Sequence, residues 1–465
     1  MDPAIQGWKK GWHRFGRVLL PLQNDFPEVI ALMRYLVGMV STNHSGARAS
    51  VPRKSIQAKN RAKVSKKGNG TSVLLIPLFS DPYCLGSCLK IAKQLHKEQS
   101  EISILMIAPR GGVSNFPPYL EVIKNSDLRK KGLFQIPKAM WSGRALYAAA
   151  VKALEDDDLL SREMVRVYGN WKKQLLQWCF FYHYDERIGR KFLQEREVKS
   201  VVTINDVVKP AAPLITAGNQ LGLNTVVLQH GTPGPQSAPF LAREAWVWGE
   251  TSKKALEIFG ADSSRLRVMG GLESEGVKLV RLPPEEGDRK EVKTLLFLGQ
   301  WRATRGWGEP FFQEVFDLLG QALKAEVGCW KLCVRLHPTD PVEAGVDILA
   351  RLKSYGVATL LEEKGVSMEE AIHTADALLS VNSSGLMNGI SAGIPTAQIL
   401  PKNIEQVVGP ALLADGNLLR NGEDLRVWLK VVGDHEKAPR TSQEQVLANR
   451  GRVAHLMAAL LGQHK

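Results

Sequence analysis

The chain has 465 residues, of which 44% are hydrophobic and 23% charged, and its formal net charge is +14. This composition is typical of a soluble globular protein long enough for two domains with full cores. There is no run of about 20 apolar residues to span a membrane and no apolar secretion signal at the start. Its five cysteines lack metal-ligand spacing, which indicates a reducing compartment. We therefore predict a cytoplasmic protein.

The first predicted element is an amphipathic helix. Its apolar face carries Trp8, Trp12, Phe15 and Leu19, and basic residues cover the other face. Such a face fits the anionic surface at the inner side of the cytoplasmic membrane, which would make the protein peripheral to it. A helix docked on its own protein explains the pattern equally well, and both alternatives stay open. A second apolar segment, residues 26–40, continues this region.

A basic tract follows the two apolar segments. Between Ala47 and Gly70 the chain has eight basic residues and no acidic one. The tract is poor in apolar residues, so it is interpreted as a disordered linker. No base-stacking or groove-reading motif lies near it, and a nucleic-acid partner is not predicted.

Strands and helices then alternate, beginning with a strand at 72–79, a helix at 84–98 and a strand at 102–107. This alternation predicts a parallel sheet with crossover helices. Helices at 143–155 and 161–194 carry an aromatic cluster, interpreted as packing, with an aromatic acceptor groove as the alternative. Between these helices, Asp156 to Asp158 are interpreted as a solvated helix cap rather than a metal site.

Polar residues follow two strands of this first sheet. The strand at 199–204 leads to Asp206, and the strand at 224–228 leads to Gln229, His230, Gly231 and Thr232. Ligands of open parallel sheets gather beyond the carboxyl ends of the strands. We therefore expect Asp206 and His230 to face one crevice.

The second half repeats the alternation, which predicts a second doubly wound domain. Predicted strands lie at 293–298, 331–336 and 358–361, with helices at 310–325, 341–352 and 368–373. The residues beyond the first two strands include Arg302, Arg305 and His337. These cationic and imidazole groups would surround a diphosphate or phosphodiester.

The stretch from Asp376 to Pro395, here called the elbow, is predicted to bind phosphate. A strand at 377–381 runs through Ser383 and Ser384 into a small-residue helix at 386–392. Gly385 would let the backbone approach a ligand, and free N–H groups at the helix start would point at it. The alternative is a simple N-cap serine.

Three short motifs resemble those of GT-B glycosyltransferases. They are the run from Leu228 to Pro233, the Arg335-Leu336-His337-Pro338 sequence, and the Ser383-Ser384 pair before a Gly-x-Pro. The set looks most like the group of capsule polysaccharide transferases, polysialyltransferase-like enzymes and CDP-glycerol glycerophosphotransferases.

The resemblance implies roles for the matching residues. His337, Ser383 and Ser384 would hold the donor nucleotide phosphates, and His230 would face the acceptor. Where many GT-B enzymes carry a ribose-binding glutamate, this chain has Asn388, which departs from the pattern but can still hydrogen-bond a hydroxyl.

The sequence as a whole therefore predicts an α/β GT-B protein with two doubly wound domains and an N-terminal helical extension. The expected units are a helical segment at 1–44, a basic linker at 45–70, an acceptor domain at 71–275, a linker at 276–292 and a nucleotide-binding domain at 293–465.

The predicted activity is transfer of a sugar from a nucleotide-sugar donor, CMP-, CDP- or UDP-linked, to a hydroxyl of a cell-surface or capsular glycan. His230 is the first candidate base and Asp206 the second. No metal and no cofactor are expected. A CDP-glycerol glycerophosphotransferase, a sugar-nucleotide epimerase and a non-enzymatic descendant remain alternatives.

Overall fold

A computed structural model describes residues 8–42, 72–77, 84–109, 116–129, 133–229, 231, 233–234, 237–270, 292–299, 309–326, 328–337, 342–363, 365–403, 413 and 417–433. These residues form two parallel β-sheets with crossover helices, preceded by a helical pair. The predicted fold class, two doubly wound α/β sheets with an N-terminal helical extension, is confirmed.

The N-terminal helical pair consists of α1 (Trp8–Leu19) and α2 (Val29–Thr42). Trp12, Phe15 and Leu19 of the apolar face of α1 are buried and belong to the core of the first sheet. Tyr35 of α2 stacks on Trp178, with ring centroids 5.6 Å apart. The docked-helix alternative is therefore the one that the structure shows, and these apolar side chains are covered by protein rather than open to a membrane.

The first sheet is parallel throughout, with the order β3-β2-β1-β4-β5-β6-β7. Because β4 returns to the other side of β1, the topological switch point lies between β1 and β4. Its strands are β1 (Ser72–Ile76), β2 (Ser103–Ile107), β3 (Leu120–Ile123), β4 (Val198–Thr203), β5 (Asn224–Leu228), β6 (Glu244–Val247) and β7 (Leu266–Val268). Its helices are α3 (Cys84–Glu98), α4 (Asn125–Arg129), α5 (Ile136–Glu155), α6 (Asp158–Tyr168), α7 (Trp171–Glu195), α8 (Ala211–Gln220) and α9 (Glu250–Ile258).

The helical middle differs from its prediction in one respect. The helix expected over 161–194 is two helices, α6 and α7, separated at Gly169, whose φ of 54° interrupts a right-handed helix. Asp157 caps α6, because its carboxylate accepts a hydrogen bond from the N–H of Leu160 at 3.1 Å. It also pairs with Arg14 of α1 at 2.6 Å. The capping interpretation of the acidic triplet is confirmed.

The second sheet repeats the topology of the first, with the order β10-β9-β8-β11-β12-β13 and parallel pairing. Its switch point lies between β8 and β11. The strands are β8 (Lys293–Leu298), β9 (Trp330–Arg335), β10 (Thr359–Leu361), β11 (Ala377–Ser380), β12 (Thr396–Ile399) and β13 (Leu418–Leu419). The helices are α10 (Glu309–Lys324), α11 (Val342–Ser354), α12 (Met368–Thr374), α13 (Gly385–Ala392) and α14 (Gly422–Gly433).

A buried hydroxyl closes both switch points in the same way. In the first sheet, Thr203 Oγ1 donates to the carbonyl of Ile76 at 3.2 Å. In the second sheet, Ser380 Oγ donates to the carbonyl of Leu298 at 2.8 Å. In each case the last residue of the fourth strand binds the last residue of the first strand. These two hydrogen bonds hold the central strands of each sheet together up to their last residues. Beyond these residues the chains leave in opposite directions, as is usual at a switch point.

Each sheet has apolar clusters of its own among the described residues. Those of the first sheet draw on residues 12–269, and those of the second on residues 295–432. Within the described parts of the chain, none of the helices combines the length and apolar content needed to cross a bilayer.

Candidate functional site

The elbow lies at the switch point of the second sheet, where β11 runs into α13. A Cβ atom on Gly385 would overlap the side chain of Leu298, and one on Gly389 would lie 2.5 Å from Thr396 Oγ1. The two glycines therefore let α13 pack closely against the strands. For Gly385 this differs from the expectation, since the space its missing side chain leaves is filled by Leu298.

The hydroxyl groups of the elbow are arranged differently from a simple helix cap. Ser384 occupies the N-cap position with helical backbone angles, and its side chain makes no capping hydrogen bond. Ser383 Oγ accepts from the N–H of Gly385 at 3.2 Å. The N–H groups of Leu386 and Met387 donate to the carbonyls of Ser383 and Ser384 at 3.1 and 3.0 Å.

These contacts change what the elbow offers to a ligand. Because the N–H groups of Gly385 to Met387 are engaged within the turn, they are not the free donors that the sequence predicted. Ser383 and Ser384 are both partly exposed. A phosphate at this position would be met by their two hydroxyl groups and by the positive end of the helix dipole.

His337 lies on the other side of the end of β8. The N–H of Gly299 donates to the carbonyl of Arg335 at 2.7 Å. A Cβ on Gly299 would lie 2.9 Å from that oxygen and 3.5 Å from the backbone nitrogen of His337. Since β9 and β11 flank β8, their ends are about 10 Å apart. His337 and the two serines therefore follow the carboxyl ends of the two strands that flank β8.

Asn388 lies one helical turn after Ser384 and on the same side of α13. Its side chain is partly exposed, but its Oδ1 atom is buried and has no hydrogen-bond partner among the described residues. A buried acceptor left without a partner costs about 1–3 kcal/mol. A donor group on a bound ligand would satisfy it. Arg302 and Arg305, predicted to complete this site, lie outside the described residues.

In the first sheet, Gln229 holds the turn beyond β5. Its Nε2 donates to the carbonyl of Gly231 and to Ser252 Oγ, both at 3.0 Å, and its Oε1 accepts from the N–H of Trp248 at 2.8 Å. Gly231 has a φ of 74°, which favours glycine, with open space where a Cβ would be. His230 and Thr232 lie outside the described residues, but the structure fixes the residues on either side of His230.

Asp206 follows β4, the strand next to β5. Its carboxylate is buried and accepts a hydrogen bond from the N–H of Ala242 at 2.7 Å. Burial raises the pKa of this carboxyl to about 6, although that bond and the nearby Arg265 guanidinium act in the opposite direction. The side chain thus anchors the segment ahead of β6. Sequence reasoning identified Asp206 by its place at a strand end but could not reveal this partner.

The aromatic cluster on α7 packs against other side chains. Trp178 stacks on both Tyr35 and Tyr182, with ring centroids 5.6 and 5.0 Å away and interplanar angles of 26°. Trp171 and Tyr182 are buried. The packing interpretation holds for these residues, whose faces are not open to a sugar.

Known proteins resemble the chain in structure and not in sequence. No protein-family model matches it, and a search of curated proteins gives no match. The apo galactosyltransferase WaaB of the lipopolysaccharide outer core aligns with 84% of this chain and 98% of its own, at 12% identity and a TM-score of 0.49. A UDP-N-acetylglucosamine 2-epimerase, described as putative, from Listeria monocytogenes aligns with 84% and 96%, at 11% identity and a TM-score of 0.48. The wall teichoic acid polymerase TagF aligns with 97% and 96%, at 11% identity and a TM-score of 0.40. At these values the likeness carries no inference about substrates, which must come from the site itself.

Proposed function

We propose that this protein is a glycosyltransferase that moves a sugar from a nucleotide-sugar donor to a hydroxyl of a cell-surface or capsular glycan. The observation that carries the proposal is the elbow, which lies at the switch point of the second sheet with His337 across the end of β8. Ligands of doubly wound sheets bind at this position. The glycan class of the acceptor rests on the motif resemblance.

In this proposal the second sheet binds the donor. The hydroxyls of Ser383 and Ser384, the start of α13 and His337 hold the nucleotide phosphates, joined by Arg302 and Arg305. The buried Oδ1 of Asn388 accepts a hydrogen bond from a donor hydroxyl such as that of the ribose, in the place of the glutamate of many GT-B enzymes. This use of Asn388 is supported by its lack of a partner in the described structure.

The reaction joins the acceptor oxygen to the anomeric carbon of the donor while the bond from that carbon to the phosphate oxygen breaks. The proton of the acceptor hydroxyl passes to His230, because imidazole has an unperturbed pKa near neutrality. The departing phosphate keeps the bonding electrons, and its charge is stabilised by His337, Arg302 and the dipole of α13. The buried contact of Asp206 with Ala242 favours His230 over Asp206 as the base. The scheme uses no metal.

Variants of His230 and of the elbow test the proposal. We expect His230→Ala to abolish turnover while changing nucleotide affinity little, because it acts on the acceptor. Ser383→Ala with Ser384→Ala should weaken nucleotide binding by roughly a hundredfold or more, since each of the two lost hydrogen bonds to a charged group is worth about 1.5–3 kcal/mol. Calorimetric titration with CMP, CDP, UDP and GDP measures the affinity, and product analysis with a matching donor measures turnover.

Two matched variants serve as controls. Ser367 caps α12, and its hydroxyl accepts from the N–H of Glu370 at 3.1 Å, so Ser367→Ala should cost about 1 kcal/mol of stability and leave nucleotide affinity unchanged. His373→Ala, on the exposed side of α12, should leave turnover unchanged. Equal loss of binding and turnover in His230→Ala would contradict its role, and conversion of the donor without an acceptor would indicate an epimerase.

A further inference from the structure

One group of large apolar side chains is left open to solvent at the start of α5. Phe134 is 92% exposed, Trp141 79% and Met140 47%. Phe134 lies in the 3-10 turn Leu133–Gln135 that leads into α5, and Met140 and Trp141 lie in the second turn of that helix. Grouped exposed aromatic residues of this size mark an interaction surface on a soluble protein.

Basic residues surround these aromatic rings. Lys138 and Arg144 lie three residues before and after Trp141 and are exposed. Lys152 continues the same face two turns beyond Arg144. The first acidic residue of α5 is Glu155, at its end, where it forms an ion pair with Lys172. The face from Phe134 to Arg144 is therefore both aromatic and positively charged.

We propose that Phe134, Lys138, Met140, Trp141 and Arg144 form a patch that binds the surface of an anionic lipid bilayer. Aromatic side chains favour the headgroup level of a membrane, because there the ring contacts apolar acyl chains while its edge stays close to water. Lysine and arginine next to them are attracted to anionic headgroups. Trp141 lies on the exposed side of α5, whose cations Lys138 and Arg144 have no acidic neighbour on that helix before Glu155, so this surface complements negative charge. The proposal does not depend on the reaction proposed above.

The patch also differs from the membrane segment that the sequence suggested. The apolar residues Trp12, Phe15 and Leu19 of α1 are buried against the protein, whereas Phe134 and Trp141 are open. Membrane contact therefore moves from α1 to the start of α5.

Co-sedimentation of the full chain with vesicles tests the patch. We expect binding to vesicles of equal parts phosphatidylglycerol and phosphatidylcholine, and little binding to pure phosphatidylcholine. Phe134→Ser with Trp141→Ser should lower the partition coefficient at least about tenfold, because insertion of apolar area drives binding. Lys138→Glu with Arg144→Glu should lower it by a similar factor at low salt, with a smaller effect at about 1 M salt, where charges are screened.

An exposed basic residue and an exposed apolar residue on α9, outside the patch, provide a control pair. Lys254 and Ile258 are exposed, Ile258 to 74%, and one helical turn apart, so Lys254→Glu with Ile258→Ser should leave vesicle binding unchanged. All variants alter exposed side chains and should keep the thermal midpoint of the parent chain. Binding that persists in both patch variants would overturn the proposal. The proposal would also be overturned if the parent chain formed dimers without vesicles and these dimers dissociated in the patch variants but not in the control variant. In that case a second copy of the chain would cover the patch.

Discussion

Asp206 shows how burial changes the meaning of a residue chosen for its position. An aspartate beyond a strand end is typical of a catalytic site, but this carboxylate is buried and fixes the N–H of Ala242. Its pKa of about 6, against 3.8 for an ordinary aspartate, means that the folded chain holds its proton over a range where the unfolded chain releases it.

The pH dependence of stability should reveal this aspartate. Between about pH 4 and pH 6 the folded state binds more protons at Asp206, so its contribution to stability is present at low pH and is lost as the pH rises through 6. Asp206→Asn removes this pH-dependent loss of stability, because an asparagine side chain does not titrate. Relative to the parent chain, the variant should gain free energy of unfolding from pH 4 to pH 7, by up to about 3 kcal/mol. Urea unfolding at pH 4, 5, 6 and 7 measures it.

An exposed aspartate provides the comparison for this profile. Asp262 accepts hydrogen bonds from Ser264, which lower its pKa, so its contribution to stability is lost as the pH falls instead. Asp262→Asn should show no gain as the pH rises. If the curves of Asp206→Asn and the parent chain ran parallel, the Asp206 carboxyl would have the same pKa in the folded and unfolded states.

The place of a site residue in the fold was predictable from the sequence where the residue follows a buried apolar strand. Ser383, Ser384 and His337 lie beyond strands, as expected, because buried apolar runs locate strand ends within a residue or two. Their contacts were not predictable. The neighbour that Gly385 accommodates is Leu298, which is 87 residues earlier in the chain, and no local pattern reports such a partner.

At the scale of elements, the elbow depends on how closely α13 approaches the sheet. Gly385→Ala would place a methyl group against Leu298. We expect this overpacking to cost about 1–3 kcal/mol of unfolding free energy. Nucleotide affinity should fall with it, since Ser383 and Ser384 would be displaced. Urea unfolding and calorimetric titration measure the two effects.

Gly422 offers a matched position at the start of α14. A Cβ there would lie 3.7 Å from Leu318 Cδ2, which is ordinary contact. Gly422→Ala should therefore leave stability and nucleotide affinity unchanged or slightly higher. An equal loss of stability in both variants would show that backbone freedom, rather than the approach of α13, decides the cost.

Element prediction succeeded where one face or a whole strand is apolar. The observed bounds of α3, β5 and β8 match the predicted ones, and those of α10 differ by one residue. The strand β12 was missed because its sequence includes Thr396 and Gln398, which are polar yet buried. The amide of Gln398 is satisfied by the carbonyl of Val381 at 2.8 Å and the N–H of Leu413 at 3.1 Å. Such compensation comes from tertiary contacts that a single strand does not contain.

At the scale of the whole molecule, each sheet has its own core, which predicts two unfolding transitions. A nucleotide at about 100 times its dissociation constant should stabilise the second sheet by about 2.7 kcal/mol and raise its Tm by roughly 5–10 °C. The transition of the first sheet should stay in place, because the proposed donor site lies on the second. Scanning calorimetry with and without nucleotide measures both.

Variants assign the two transitions. Phe15→Ala removes a fully buried side chain from the core of the first sheet and should lower the Tm of that sheet alone. Ser383→Ala with Ser384→Ala should abolish the rise in the Tm of the second sheet that nucleotide causes. A single transition, or two that rise together with nucleotide, would show that the sheets unfold as one unit.

The sequence did not decide whether a membrane or the protein itself covers the apolar face of α1. An amphipathic face has the same pattern whether lipid or protein covers it, since both environments remove apolar side chains from water. Only the placement of α1 against α5 and of Tyr35 on Trp178 distinguishes the two.

That placement has a consequence for synthesis on the ribosome. Phe15 and Leu19 of α1 are made first, but α5, which packs against α1, and α7, whose Trp178 stacks on Tyr35 of α2, end only at residues 155 and 195. At about 5–20 residues per second, roughly ten seconds or more pass before that surface exists. During this interval the apolar face of α1 has α2 beside it but lacks the part of its native cover that α5 provides. The chain should therefore depend on chaperones that bind nascent segments until α7 has emerged.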